Sequence, residues 1–328
     1  MINSITIQQG ATFSVAVMLA DAGLFKYIFL SAVVLALGYV IVWGQTRSLI
    51  RAKRIIRERD EELRQLNFAR EELAYKNKNV TDSIIYARKI QDSLIPSVAS
   101  FEKHFRESFV FFKPRDIVSG DFYFIREKGD RIYVVAADCT GHGVPGALMS
   151  MIGLQTLDRI IAEAITIQPG EILNTLSREI EITFSRDHDD SYMVKDGMDI
   201  AVCVIDRSDR HLEFAGAFLP MYLLRDGNLL ELKGDKFVIG RTAAGQSFTS
   251  QKMSLEEDDT IYLFTDGYVD QFGGTENKKF MNRRFRYLLV TIHRYSMADQ
   301  KTILADNITT WMGINDQVDD IMVLGFRP

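Results

Sequence analysis

Four aspartates, each at one end of a strand-like apolar run, are the residues of this chain best placed to do chemistry. They are Asp121 in Ser119-Gly120-Asp121-Phe122-Tyr123, Asp138 in Val134-Val135-Ala136-Ala137-Asp138, Asp266 in Tyr262-Leu263-Phe264-Thr265-Asp266-Gly267, and Asp319 in Val318-Asp319-Asp320-Ile321-Met322. A carboxylate at a strand end projects where neighbouring strands also end, so several can converge on one cleft. Gathered carboxylates without matching Lys or Arg repel one another unless divalent cations sit among them. Oxygen-only ligands suit hard ions such as Mg²⁺ or Mn²⁺. For any one aspartate the plainer reading, a turn or a helix cap, has more weight. Four together, two of them in unusual strings, favour a metal centre.

The strongest string is Asp138-Cys139-Thr140-Gly141-His142-Gly143-Val144-Pro145-Gly146-Ala147-Leu148-Met149. Its glycines let backbone turn tightly and approach a bound ion or phosphate. Pro145 suits the first turn of the helix that follows. The elements that must carry these residues read as strands near 108–112, 121–126 and 131–138, then helices near 144–164 and 169–184. Further strands fall near 199–206, 211–216, 220–225 and 229–232, with Asp226-Gly227-Asn228 as a hairpin turn. A strand near 260–265, helices near 279–293 and 297–311, and a strand near 320–326 close the chain. Runs of strands broken by paired helices suit an α+β sheet sandwich flanked by helices, not alternating βαβ units.

The order Ser-Gly-Asp-Phe-Tyr, Ala-Asp-Cys-Thr-Gly-His-Gly-Val-Pro, Phe-Thr-Asp-Gly and Asp-Asp-Ile resembles the PPM-type metal-dependent protein phosphatases, in their bacterial SpoIIE-like branch. The resemblance covers roughly residues 95–328, with all four motifs in family order. It implies an α-β-β-α sandwich of two antiparallel sheets and a serine/threonine phosphatase using two divalent ions, Mn²⁺ or Mg²⁺. It further implies that Asp138 bridges the ions, that the Cys139 carbonyl completes one shell, and that Asp266 and Asp319 bind the second ion. Asp121 matches an acidic position contacting the first ion, and Asp320 is the alternative to Asp319. The chemistry asked of such a site is severe, because a phosphomonoester dianion repels hydroxide and its alkoxide leaves poorly.

Other residues carry competing readings. His142, in the motif loop, suits a general acid, yet two extra residues before the Gly-His pair displace it from the position proposed as catalytic in eukaryotic relatives. A structural loop role is as good a reading. Arg115, in Lys113-Pro114-Arg115-Asp116, suits a grip on substrate phosphate, against the ordinary fate of a solvated loop Arg. Asp199 reads as a turn residue at a strand start, with a third-metal contact as the alternative. Asp187, His188, Asp189 and Asp190 read as an acidic loop.

The remainder of the chain argues for an anchored enzyme. With 39 basic and 44 acidic residues the formal net charge is −5, and nothing marks a nucleic-acid binder. Cys139 and Cys203, the only two cysteines, lie far apart on strand-like segments, so a disulfide is not expected. An uncharged apolar run from Tyr27 to Gly44 has the length of a short membrane span, with Tyr27, Tyr39 and Trp43 near its ends. Arg47, Arg51, Lys53, Arg54, Arg57 and Arg59 follow it, against a lone Lys26 before it. That asymmetry predicts an outside N-terminus and a cytoplasmic remainder, and the resemblance to a bacterial branch implies the bacterial inner membrane.

From Arg47 to Leu94 the chain is charged and lacks Gly and Pro. Leu49, Ile56 and Leu63 repeat by heptads; after a three-residue phase shift Leu66, Leu73, Val80, Ala87 and Leu94 continue the repeat. A coiled coil and a parallel homodimer are the expectation, with a solvated single helix as the alternative. The domains expected are an extracytoplasmic 1–23, a membrane helix 24–45, a linker helix 46–95 and a phosphatase domain 96–328. Two functions fit: a membrane-tethered phosphatase acting on a phosphoprotein, by family resemblance a small anti-sigma-factor antagonist, or a degenerate phosphatase fold that binds and scaffolds. The full set of aspartates favours the enzyme.

Overall fold

The computed structural model describes residues 3–141, 143–165, 167–184, 197–240 and 245–328, with side chains from residue 23 onward. The chain divides into two units, 1–79 and 80–328. Helix α1 runs from Asn3 to Leu94. In the first unit it presents exposed apolar side chains over the expected span, such as Leu35 at 74 %. This helix is long and apolar enough to cross a membrane, by length and composition alone. Beyond it, i,i+4 pairs such as Arg54–Glu58 and Glu72–Lys76 support a charged helix without Gly or Pro. Leu49, Ile56, Leu63, Leu66 and Leu73 all stay exposed in the single chain.

In the second unit α1 stops two residues before Pro96, and a short helix α2 (Val98–Glu102) follows. Ser97 caps α2 by accepting a hydrogen bond from Ser100 N. Twelve strands follow among the described residues. One antiparallel sheet has the order β1 (Glu107–Lys113), β12 (Ile321–Arg327), β9 (Thr260–Phe264), β6 (Met221–Arg225), β7 (Asn228–Leu232). The other has the order β2 (Phe122–Lys128), β3 (Arg131–Cys139), β4 (Met198–Asp206), β5 (His211–Ala217), β8 (Gln251–Ser254).

The period-2 alternation of β3 shows how the layers form. Ile132, Val134 and Ala136 face the core between the sheets, whereas Tyr133, Val135 and Ala137 face the helices α3 (Val144–Glu163) and α4 (Pro169–Phe184). Helices α6 (Asn282–Ile292) and α7 (Met297–Met312) cover the other sheet. The α-β-β-α sandwich expected from the sequence is therefore present.

Three local features differ from expectation. Strand β8 was not foreseen; its alternating partly exposed residues give too weak an apolar signal. The hairpin turn is two residues, not three: Asp226 (φ 50°) and Gly227 (φ 76°) turn the chain, and Asn228 already pairs with Arg225. The helix expected from 279 begins at 282, because α5 (Gly267–Asp270) and a hairpin of β10 (Phe272–Gly273) and β11 (Lys278–Lys279) intervene. Both cysteines are buried and free.

Candidate metal centre

The carboxylates converge from both sheets. Asp138 is the next-to-last residue of β3, and its antiparallel partner is Asp199 near the start of β4. Asp121 immediately precedes β2, one position before the Phe122–Ala137 pair. From the opposite sheet, Asp266 follows β9 and Asp319 lies just ahead of β12. A cavity of about 330 Å³ is lined by Asp138, Cys139, Thr140, Gly141, Asp199, Val238 and Asp319. None of the described residues that line it is Lys or Arg.

Electrostatics follow from that crowding. Burial, then the charges of Asp266 and Asp319, push the Asp138 carboxyl up to about 8. Burial and the neighbouring Asp138 hold Asp121 well above the usual carboxylate range, although it accepts a 2.6 Å hydrogen bond from Thr265 Oγ1. Asp266 is raised to about 6 by burial and Asp319, and Asp199 to about 6 by burial and Asp266. Buried, mutually repelling carboxylates are a donor set that fits hard divalent ions. Burial also pushes the Cys139 thiol far up, which leaves its backbone carbonyl as the oxygen it can offer.

The supporting shell is built from close backbone approaches. A Cβ on Gly146 would lie 2.3 Å from the Gly141 carbonyl oxygen, and one on Gly120 would lie 2.8 Å from it. Only glycine lets the start of α3 and the Asp121 loop close on the motif loop. Thr140 pins that loop, its Oγ1 standing 2.7 Å from Gly197 O and accepting from Gly197 N at 2.6 Å.

Asp319 and Asp320 are sharply distinguished. Asp319 lines the cavity, whereas Asp320 turns its carboxylate onto backbone: Oδ1 accepts from Arg115 N at 2.7 Å, and Oδ2 from Gly120 N at 2.8 Å. Gln91, near the end of α1 and 2 % exposed, clamps the residue before Gly120. Its Nε2 donates to Ser119 O (2.6 Å) and Ser150 Oγ (2.8 Å), and its Oε1 accepts from Ser119 N (3.1 Å). Neither role was foreseen, because each joins residues far apart in sequence.

The turn role expected for Asp199 is replaced by a place in β4 on the cavity wall. Arg115 donates from Nη1 to Val318 O at 2.9 Å and lies beside Asp116. His142 and Asp187, His188, Asp189 and Asp190 lie outside the described residues. A separate group, Asp206, Asp209 and His211, sits at the opposite end of β4. Asp206 there is already engaged by Ser208 and Arg131.

A two-sheet sandwich with a carboxylate cleft at the ends of its strands defines a PP2C-type phosphatase domain, and comparison with known proteins agrees. The model of the stage II sporulation protein E (SpoIIE) family matches residues 128–328. The SiaA PP2C domain of Pseudomonas aeruginosa superposes with a TM-score of 0.69 at 33% identity, over 78% of this chain and 98% of that one. The Bacillus subtilis SpoIIE phosphatase domain with part of its regulatory domain gives 0.56 at 16% identity, over 68% and 63%. The RsbU and RsbW domains of a Mycobacterium tuberculosis protein give 0.53 at 19%, over 67% and 59%. These last two share the fold, and this chain spans less than two thirds of either. No curated protein matches the chain. The chain belongs to the SpoIIE family and is a metal-dependent protein serine/threonine phosphatase.

Proposed function

We propose that this chain is a membrane-anchored phosphatase that hydrolyses phosphoserine or phosphothreonine on a signalling protein, with two divalent ions, Mn²⁺ or Mg²⁺, in the carboxylate cleft. The observation that carries this reading is the convergence of Asp121, Asp138, Asp199 and Asp266, all with raised carboxyls, and Asp319 on a cavity whose described lining residues include no Lys or Arg. Asp138, with carboxylates from both sheets around it, would be shared between the ions. Asp266 and Asp319 would hold one of them, and Asp121 with the Cys139 carbonyl would serve the other. Bound there, the ions neutralise phosphoryl oxygens and lower the pKa of a water. Thr265 orients Asp121 through its 2.6 Å hydrogen bond, and Asp320 fixes the loop that presents it.

Family resemblance supports a small anti-sigma-factor antagonist as the phosphoprotein. The apolar stretch of α1 and the cationic cluster after it support an inner-membrane anchor with the catalytic unit in the cytoplasm. The exposed heptad residues support a parallel homodimer. Metal titration of the full chain in detergent micelles, followed by calorimetry and Mn²⁺ spin resonance, tests the centre. Two ions per chain with spin coupling between them are expected; one ion or none contradicts the bridge.

A further inference from the structure

The segment that follows Asp266 builds a second surface feature. A groove of about 570 Å³ lies between the β10–β11 hairpin and the start of α6. Lys278, Lys279, Arg283 and Arg284 line it together with Phe272 and Met281, mainly through their apolar stems, and no carboxylate does among the described residues. In a chain of formal net charge −5 this is a local reversal of sign. Lys278 meets Glu276 in an exposed pair, which is readily exchanged for other anions, whereas Lys279 is held by Asp270 in a part-buried one.

The groove is apolar as well as cationic. Phe272 and Met281 are 38 % and 56 % exposed. Met281 holds φ at 75°, a left-handed conformation that costs a non-glycine residue of order 1–3 kcal/mol. Its N–H is tied to Val269 O at 2.7 Å, so the strained backbone keeps a side chain at the surface that no core requires.

The groove is also rigidly registered to the carboxylate cleft. Asp266 precedes α5, and Asp270 at the end of that single turn pairs with Lys279 at 2.8 Å. Gln271, fully buried, accepts from Val318 N at 3.2 Å, one residue before Asp319. Trp311 locks the hairpin from α7, accepting from Gly274 N and donating to Gln271 O. The segments that carry Asp266 and Asp319 therefore also carry the groove.

We infer that this groove docks an acidic stretch of the phosphoprotein substrate a few residues from the phosphorylated side chain, with an apolar residue of that stretch against Phe272 and Met281. The inference rests on the phosphatase reading above. Charge complementarity selects the acidic sequence, and the shared segments select a substrate over a distant partner.

The test uses the full chain in detergent micelles with Mn²⁺, para-nitrophenyl phosphate, and two phosphoserine peptides that differ only in acidic or neutral flanks. The native chain should favour the acidic peptide by about tenfold in kcat/KM. Arg283→Glu with Lys278→Glu should abolish that preference through KM and leave para-nitrophenyl phosphate turnover within about twofold. Met281→Gly, which relieves the backbone, should weaken the acidic peptide alone. An unchanged preference with para-nitrophenyl phosphate turnover intact overturns the docking site only. No turnover of any substrate by the native chain overturns the phosphatase reading and the groove with it. Amide protection of residues 272–284 by phosphatidylserine nanodiscs but not by the acidic peptide makes the groove a membrane contact and overturns the proposal.

Discussion

The Asp320 carboxylate accepts from the Gly120 backbone N–H at 2.8 Å across 200 residues of sequence, while its neighbour Asp319 lines the cavity. Two adjacent aspartates thus do opposite jobs. One gathers the Arg115–Asp121 backbone, and the other adds charge to a crowded cleft.

Their asparagine variants should separate in the metal-free protein. Asp320→Asn weakens charge-assisted bonds to buried amides and should destabilise by about 2–4 kcal/mol. Asp319→Asn removes repulsion and should leave the chelated protein as stable as the native chain or more so. Thermal melts in excess chelator read both effects, and only Asp319→Asn should abolish tight Mn²⁺ binding. Equal melting shifts in the two variants would contradict the division.

The raised carboxyls fix the sign of a pH effect. Asp138 near 8, and Asp199 and Asp266 near 6, bind protons more tightly folded than unfolded. Their contribution to stability is therefore complete below the ordinary carboxylate range and is lost as pH rises through about 6 and then about 8. The melting temperature of the chelated protein should fall from about pH 5 to about pH 8.5, and the rise on adding Mn²⁺ should grow over the same window. Asp138→Asn should flatten the upper half of that curve.

Gln91 predicts a coupling between the end of α1 and the Asp121 loop. Gln91→Ala strands the Ser119 N–H in a buried site and leaves its C=O only the 3.4 Å bond from Ser150 Oγ, at a cost of about 2–3 kcal/mol. Hydrogen exchange at Ser119, Gly120 and Asp121 should accelerate in this variant while the core strands stay protected. Unchanged exchange there would show the clamp to be idle.

The exposed heptad seam should support association. Leu73→Asp with Val80→Asp should convert a dimer to a monomer in analytical ultracentrifugation of the detergent-solubilised chain. A native chain that already sediments as a monomer would contradict the coil.

Much of this molecule could be read from local pattern. Ile132 to Ala137 are apolar on both faces, which marks a strand between a second sheet and a helical layer. The Asp138 string carries its own turn chemistry in Gly141 and Gly143, both at positive φ. What escaped depends on distance along the chain. Neighbours in extended backbone point to opposite sides, so the choice between Asp319 and Asp320 turns on which side Gly120 approaches. Gln91 meets Ser119 and Ser150 across 28 and 59 residues, which no local pattern reports. Asp199 lies two residues after Gly197 and so reads as a turn residue, yet register across β3 and β4 places it opposite Asp138.

The most direct measurement compares turnover of a phosphoserine peptide by the native chain and by Asp138→Asn across a Mn²⁺ titration. The account expects native activity to vanish in excess chelator. It also expects Asp138→Asn to lose activity by about three orders of magnitude or more at saturating Mn²⁺, with the fold intact by circular dichroism. Full activity of Asp138→Asn, or a native rate undiminished by chelator, would contradict it.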